Sequence, residues 1–502
     1  MINYGLSRVF RDIDDFINYY FSTLPQSALY LVLPFNVKSS NYRSNLITKI
    51  VTLPASLKPK FIKTSLILLS QLAISSSTYA ILTATSSHVI TGNAPQVVAL
   101  LSANKHGFAV NGVFYSEASD TLKSDEVKEF DGNLTLNDFK VANYTSTDLD
   151  RFDNYRDLDG DYADPQQPFK VDSTYYWWYD NSGKRITGAD IRKAIGCGSG
   201  FSMPLKLIIQ SKVKTYSEYG IPKESEQLIL SKTYQIAAKS ELCYAKPNSA
   251  IIYPEHQWGK LGDNPNLNYR MYWNSPDGRT RSKGGGGYTQ DYVPDYGFKA
   301  VTHVSGGRNF PTTGFPGAKF QLVMAGAQTD YRYQIINNPG GGVSIDENGM
   351  VKLTSKPTGT VTVKAILKRN PSVSYDYSFN PTSIWAIPQG DIKGVYDTAV
   401  KRCGGSNNVV GRYELTNAPF TSRDDDPAIF LGGILTRAID GSLFSEWGFI
   451  NQKAYPDSQW RGGVYWTRDR SSYSTRQYHI YADSGHVGEG DDSWNNYIAC
   501  KG

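Results

Sequence analysis

The stretch VSIDENGMVKLTSKPTGTVTVKA, residues 343–365, alternates apolar and polar side chains in three short runs. Asn348 and Gly349 supply a hairpin turn before Met350, and KPTG at 356–359 supplies another before the last run. A period of two places successive side chains on opposite faces of a strand. The stretch therefore predicts short antiparallel strands, each with one face turned to a core.

Similar runs extend this pattern in both directions. AKFQLVM (318–324), DYRYQII (330–336) and GTVTVKAIL (359–367) complete one immunoglobulin-like (Ig-like) module, which we expect at 310–388. Upstream, STYYWWYDNSGKRITGADI (173–191) and PLKLIIQSKVKTY (204–216) predict another Ig-like domain at about 140–245, with Trp177 or Trp178 in its core.

Composition agrees with a mainly β chain. Of 502 residues, 13% are aromatic, with 35 tyrosines, whereas cysteine and methionine contribute four and five residues. The formal charge of +5 arises from 52 basic and 47 acidic residues, which is too balanced to favour a nucleic-acid partner.

The last block, 389–502, has a different pattern. A helix-like DTAVKRC and a second amphipathic stretch precede the hairpin sequence GGVYWTRDRSSYSTRQYHIYADSGH at 462–486, which predicts a compact α+β module. Leu443, Phe444 and Trp447 form a helical apolar stripe, and together with Trp466 we assign them to the core of this module.

The four cysteines are even in number and form no C-x-x-C motif. Read in order they pair Cys197 with Cys243 and Cys403 with Cys500, although three connectivities are open, as is the alternative of four buried thiols.

Residues 61–84 resemble a late signal peptide: basic residues precede the apolar, serine-rich TSLILLSQLAISSSTYA, which ends at Ala80. The run falls short of the roughly 20 residues of a membrane span. Residues 1–60 are then an unassigned leader or a misassigned start. We expect export through the periplasm, to the bacterial surface or beyond.

Two metal sites can be imagined. Asp157, Asp159 and Asp161 alternate in an acidic run, but an EF-hand fails because glycine occupies the fourth position and Pro168 the twelfth. A looser calcium loop stays open beside a solvated loop. His479 and His486 have no identified third ligand, so we predict no metal and no cofactor.

Several motifs together resemble the invasin/intimin-type adhesins of enterobacteria. FPTTGFPGAKFQLVMAGAQTDYRYQI and the opening stretch are similar to their Ig-like repeat. The motifs RYELTNAP, RAIDGSLFSEWG, YWTR, QYHIYADSG and YIAC are similar to their C-terminal lectin-like tip domain. The resemblance covers roughly 120–502. It implies a secreted or surface-displayed adhesin of a Gram-negative bacterium, with a C-type-lectin-like tip held by Cys403 and Cys500.

Two departures qualify the resemblance. Such adhesins usually begin with an outer-membrane β-barrel, and nothing before residue 100 supplies its strands. We therefore expect a truncated relative, or a passenger exported by, and interacting with, a separate barrel protein. Arg468 also stands where the family has a serine after YWT, so the ligand is expected to differ.

The resulting prediction is a mainly β protein with tandem Ig-like β-sandwich domains followed by a C-terminal α+β C-type-lectin-like domain. Its segments are residues 1–60, the signal peptide 61–84, an adhesin-type β region 85–309 that includes the Ig-like domain at about 140–245, the bacterial Ig-like domain 310–388 and the tip 389–502.

The tip is the predicted receptor-binding region. Tryptophan and arginine dominate interface hot spots, and the hairpin's Ser/Tyr-rich end resembles a paratope. The candidate residues are Trp460, Arg461, Arg468, Asp469, Arg470, Arg476 and His479. The tryptophan and Arg461, Arg468 and Arg470 are expected to be exposed. A solvated charged hairpin is the alternative. In QYHIY we expect one face to pack and the other to meet a partner.

We expect a non-enzymatic, monomeric adhesin that binds a host cell-surface protein or glycan. A carbohydrate-binding lectin is the first alternative, although the basic tip argues against a calcium-type sugar site. The second is an enzyme acting on surface glycans, with Glu446 as acid and an aspartate of RDDDP (423–427) as partner; two unplaced carboxylates support it weakly.

Overall fold

The computed structural model describes residues 91–254, 257, 286–300, 306–420, 434–471 and 475–502. The predicted leader and signal peptide, and the RDDDP motif, lie outside these residues. Among the described residues, none of the helices is long and apolar enough to cross a lipid bilayer.

The first module is a β-sandwich. Sheets of order β3-β2-β5 and β4-β9-β8-β7 enclose a core that includes Phe108, Leu207 and Ile236, while β1 pairs with β6. Trp178 belongs to this core, whereas Trp177 on the same strand is only partly buried. The elements are β1 Gln96–Val97, α1 Ala99–Ala103, β2 Gly107–Val110, β3 Val113–Ser116, β4 Val127–Phe130, β5 Lys140–Val141, β6 Tyr155–Arg156, β7 Phe169–Tyr179, β8 Leu205–Thr215 and β9 Leu228–Ala238.

The second module is also a sandwich, with sheets of order β11-β12-β10-β14-β17-β16 and β15-β18-β19. The hairpin predicted by the opening stretch forms as β16 and β17, with Val343 opposite Leu353. Its elements are β10 Leu242–Pro247, α2 Asn248–Ile252, β11 Tyr292–Val293, β12 Gly297–Lys299, β13 Thr313–Gly314, β14 Lys319–Met324, β15 Tyr331–Asn337, β16 Val343–Ile345, β17 Met350–Leu353, β18 Val361–Leu367 and β19 Ser374–Phe379.

This second sandwich takes in residues far upstream of position 310. Strand β10 pairs with β14, so that Ala245 lies opposite Leu322 in the centre of the sheet. No local period reveals this pairing, because a strand's sheet partner is set by tertiary packing.

The third module is α+β, with a sheet of order β13-β20-β24-β21-β22-β23 flanked by short helices. The elements that complete it are β20 Ile384–Gly394, α3 Tyr396–Arg402, α4 Arg412–Leu415, α5 Leu443–Trp447, β21 Val464–Arg470, β22 Gln477–Tyr481, β23 Val487–Gly490 and β24 Asn496–Lys501. The prediction of a mainly β chain whose sandwiches precede an α+β module is confirmed.

The second and third modules share one hydrophobic core. Phe320 and Tyr377 of the sandwich belong to the same buried cluster as Leu443, Phe444 and Trp447 of the tip. Strand β13 also leaves the sandwich to pair in parallel with β20. The tip is therefore fixed to the sandwich by packing and by a shared sheet.

Both disulfides link the cysteines that are paired by order in the sequence. Cys197–Cys243 joins the loop before β8 to β10, and Cys403–Cys500 joins the end of α3 to β24. The second bridge closes a long segment of the tip and holds its last strand in place.

Candidate functional site

The candidate residues of the tip do not form one exposed cluster. Trp460 has no exposed surface; its ring contacts Phe444, Phe315 and Tyr465 in the core. The predicted exposure of Trp460 is therefore wrong. The loop SQWRGG has no hydrophobic periodicity, so its sequence gives no indication that the tryptophan is buried.

His479 is also buried, so the prediction that it contacts a partner is wrong. The strand lies between β21 and β23, and the residues from Gln477 to Ile480 are all buried. Burial lowers the pKa of His479 to about 4, with His486 nearby contributing, so its imidazole is neutral at physiological pH.

Two predicted arginines, Arg461 and Arg468, form bidentate ion pairs within the protein. Arg461 donates from Nε and Nη2 to both carboxylate oxygens of Asp391, at 2.6 and 3.0 Å. Arg468 donates from Nη1 and Nη2 to Glu414, at 2.7 and 2.9 Å. Such paired, planar contacts orient the guanidinium strongly.

The pair at Glu414 is a structural network. Lys501 contributes a second cation at 3.0 Å, and the Gly411 amide donates to the same carboxylate at 2.7 Å. Burial opposes ionisation of Glu414, but the bond from Arg468 and these other donors outweigh it and lower its pKa. Arg468 therefore joins α4 to β21 and is not free to anchor a partner.

Asp469 accepts a hydrogen bond from the main-chain amide of Arg412 at 2.5 Å, which also ties β21 to α4. Arg476 is exposed beside residues 472–474, which lie outside the described part of the chain, and its main-chain oxygen accepts from Ser471.

Arg470 also lies on an accessible surface. Its side chain is 55% exposed and donates to Asp492 at 3.0 Å. Two residues after Asp492, Trp494 is 50% exposed, and its ring lies 5.6 Å from that of His479. Tyr481 is 38% exposed, and its ring lies 5.6 Å from that of His479.

We call Arg470, Tyr481, Asp492 and Trp494 the tip surface. Gly488 allows the imidazole of His479 to lie against β23, where it supports Trp494. A Cβ at this position would lie 2.3 Å from His479 Nε2, so a larger residue would displace the imidazole. Sequence reasoning missed Trp494, although core packing does not explain a tryptophan in the polar turn GDDSWNN.

Glu446, the residue considered as a catalytic acid, is completely buried. Oε2 accepts hydrogen bonds from the amides of Thr312 and Thr313 at 2.9 Å each and from Thr313 Oγ1 at 2.8 Å, and Oε1 accepts from Thr312 Oγ1. Burial raises its pKa to about 7 against these bonds. The carboxyl clasps α5 to β13 and is not accessible to a substrate.

The acidic run near Asp157 does not assemble a metal site in the described part of the chain. Asp159 instead accepts hydrogen bonds from Asn93, and Asp157 accepts from the amide of Asp159. The one group of metal-ligand side chains found among the described residues contains Cys197 and Cys243, whose sulfurs are consumed by a disulfide.

Residues 291–379 match the family model described as invasin, domain 4. The match covers most strands of the second sandwich. Both the match and the second sandwich begin upstream of residue 310.

Solved structures give weaker likenesses. A crystal structure of invasin, described as a bacterial integrin-binding protein, is 18% identical, with coverage of 80% of this chain and 59% of that chain and a TM-score of 0.34. An intimin mutant from EHEC O157:H7 is 18% identical over 39% of this chain and 89% of its own, with a TM-score of 0.25. This chain thus spans 59% of the length of the invasin chain.

A C-terminal 282-residue fragment of intimin, in complex with the intimin-binding domain of the translocated intimin receptor, is 14% identical. That match covers 60% of this chain and 77% of the fragment, with a TM-score of 0.25.

Proposed function

We propose, from the premise that residues 291–379 form an invasin-type domain 4, that this chain is a non-enzymatic bacterial adhesin. Its third module would bind a protein receptor on a host cell through the tip surface. The sandwiches would act as a spacer that holds this module away from the bacterium.

The observation that carries the proposal is the accessibility of the tip surface. Trp494 and Arg470 are the residue types that contribute most to protein interfaces, and both are about half exposed. Trp494 rests on the buried ring of His479, so its position is largely set before a partner arrives. Little conformational freedom would then be lost on binding.

Display outside the cytoplasm is part of the same proposal. The two disulfides are favoured in an oxidising compartment, which the periplasm and the cell surface provide.

Binding of the purified, oxidised chain to epithelial cells tests the proposal. We expect saturable binding that is lost when surface protein is removed by protease, and that persists in EDTA. Trp494→Ala and Arg470→Ala should each weaken binding at least tenfold without lowering the melting temperature.

Tyr162→Ala, an equally simple loss of an exposed ring in the first module, is the matched control and should bind normally. Protease-resistant binding, or full binding by both tip variants, would reject a protein receptor at the tip surface.

A further inference from the structure

A small cavity lies where the first module meets the second. Its volume is about 250 Å³. Three glycines, Gly198, Gly200 and Gly326, expose main chain to it, and Lys246, Asp295 and Tyr296 supply side chains. This is just below the roughly 300–1,000 Å³ of sites for drug-sized ligands, so it suits a single small ring.

The walls of this junction cavity are held rigidly. The Cys197–Cys243 disulfide joins the two modules beside it. The Gly198 amide donates to the Met324 carbonyl at 3.1 Å, and the Gly326 amide donates to the Gly196 carbonyl at 3.0 Å. A ligand would therefore meet a preformed site and would not have to order it.

One wall is aromatic. The ring of Tyr296 stacks on Tyr244 with centroids 5.2 Å apart, and the residue remains 38% exposed. A Cβ at Gly198, which has a φ of +67°, would lie 2.9 Å from the Tyr296 ring, so glycine is required for this close approach.

The turn that presents Tyr296 is fixed by an internal clamp. Asp295 adopts a φ of 70°, which is unusual for a residue other than glycine. The buried Gln257 holds it from both ends: the Asp295 amide donates to Gln257 Oε1 at 2.6 Å, and Gln257 Nε2 donates to Asp295 Oδ1 at 2.8 Å. These two hydrogen bonds set the conformation of the turn before a ligand arrives.

Lys246 supplies the charge. It is half-buried, its Nζ donates to the main-chain oxygen of Asp295, and it forms no ion pair with a carboxylate among the described residues. Burial lowers its pKa, and the nearby charge of Asp295 only partly opposes this effect. A desolvated cation gains most from a partner that brings a negative charge.

We propose that the junction cavity binds an acidic monosaccharide, with its ring against Tyr296 and its carboxylate on Lys246. A sugar ring combines an apolar face with hydroxyl groups for the exposed glycine main chain, which a purely apolar ligand lacks. The junction cavity is separate from the tip surface. The chain would therefore contact acidic glycans through the junction cavity and a receptor through the tip surface.

Titration of the full oxidised chain with N-acetylneuraminic acid, glucuronic acid, glucose and acetate, followed by ligand-observed NMR and calorimetry, tests this inference. We expect millimolar binding of the two acidic sugars and at least tenfold weaker binding of glucose and acetate. Lys246→Met and Tyr296→Ser should each reduce acidic-sugar binding at least fivefold. Lys299→Met, which removes a lysine from a neighbouring strand outside the cavity lining, should leave it unchanged.

Equal binding of acetate would show that the site recognises a carboxylate alone, and equal binding of glucose would remove the role of Lys246. Either result, or the absence of binding by every ligand, overturns the inference. Cell binding through the tip surface is measured separately with the Trp494 variant, so failure of one proposal does not imply failure of the other. Unchanged melting temperatures of the cavity variants exclude misfolding as the cause of lost binding.

Discussion

Replacement of Glu446 by glutamine should change how the stability of the protein depends on pH. The carboxyl is fully buried between α5 and β13, and its four hydrogen-bond donors come from Thr312 and Thr313. Burial raises its pKa from an ordinary 4.5 to about 7. The folded protein therefore keeps a proton on Glu446 at pH values at which the unfolded chain has already lost it.

The sign of the effect follows from this difference. Between pH 4.5 and 7 the folded state binds more protons than the unfolded state, so the stabilising contribution of the group is fully present below 4.5 and is lost as pH rises to 7. The two pKa values correspond to a loss of about 3 kcal/mol in the free energy of unfolding. Above pH 7 the contribution stays constant.

His479 acts in the opposite direction over almost the same range. Its buried imidazole has a pKa of about 4 against an ordinary 6.5, so its contribution is lost as pH falls from 6.5 to 4. The two contributions therefore partly cancel in the pH dependence of the wild-type unfolding free energy, and neither can be read from that curve alone. The informative quantity is the difference between the wild-type and Glu446→Gln unfolding free energies, because the His479 contribution cancels in it.

Urea denaturation from pH 4.5 to 8, with disulfides intact and tryptophan fluorescence as the probe, measures this difference. We expect it to fall by about 3 kcal/mol in favour of the glutamine variant as pH rises. Glu347→Gln, at an exposed hairpin turn, is the control and should give a flat difference. A flat or rising difference for Glu446→Gln would show that the four donors keep the carboxylate ionised, and would refute the reasoning.

Three further changes test the packing of the tip. Trp460→Ala should cost about 3–5 kcal/mol in urea unfolding because the ring is fully buried; a loss below 1 kcal/mol would contradict this burial. Joint replacement of Cys403 and Cys500 by serine opens a bridge between residues 97 apart and should cost about 4–5 kcal/mol, measured against the oxidised protein. Gly317→Ala should lower the melting temperature, since φ is +87° and the added Cβ would lie 2.5 Å from main-chain atoms of Asp457. An unchanged melting temperature would contradict this close approach.

Local patterns in the sequence were sufficient for the type and order of the main strands. The period of two in 343–365 places Val343, Val351 and Val361 in the core, because alternation along a strand needs no knowledge of the strand's partner. The helical stripe of Leu443, Phe444 and Trp447 is buried for a similar reason.

The tertiary structure alone decided which polar residues of the tip are available to a partner. Arg461 is neutralised by Asp391, 70 residues away, and Arg468 by Glu414, 54 residues away. The same fold brings Glu446 to Thr312, 134 residues earlier in the chain. Charge pairing and burial depend on which distant segments the fold brings together, whereas the period of a strand depends only on neighbouring residues. The sequence by itself therefore determined the strands and their buried faces, and tertiary packing determined which side chains of the tip remain exposed.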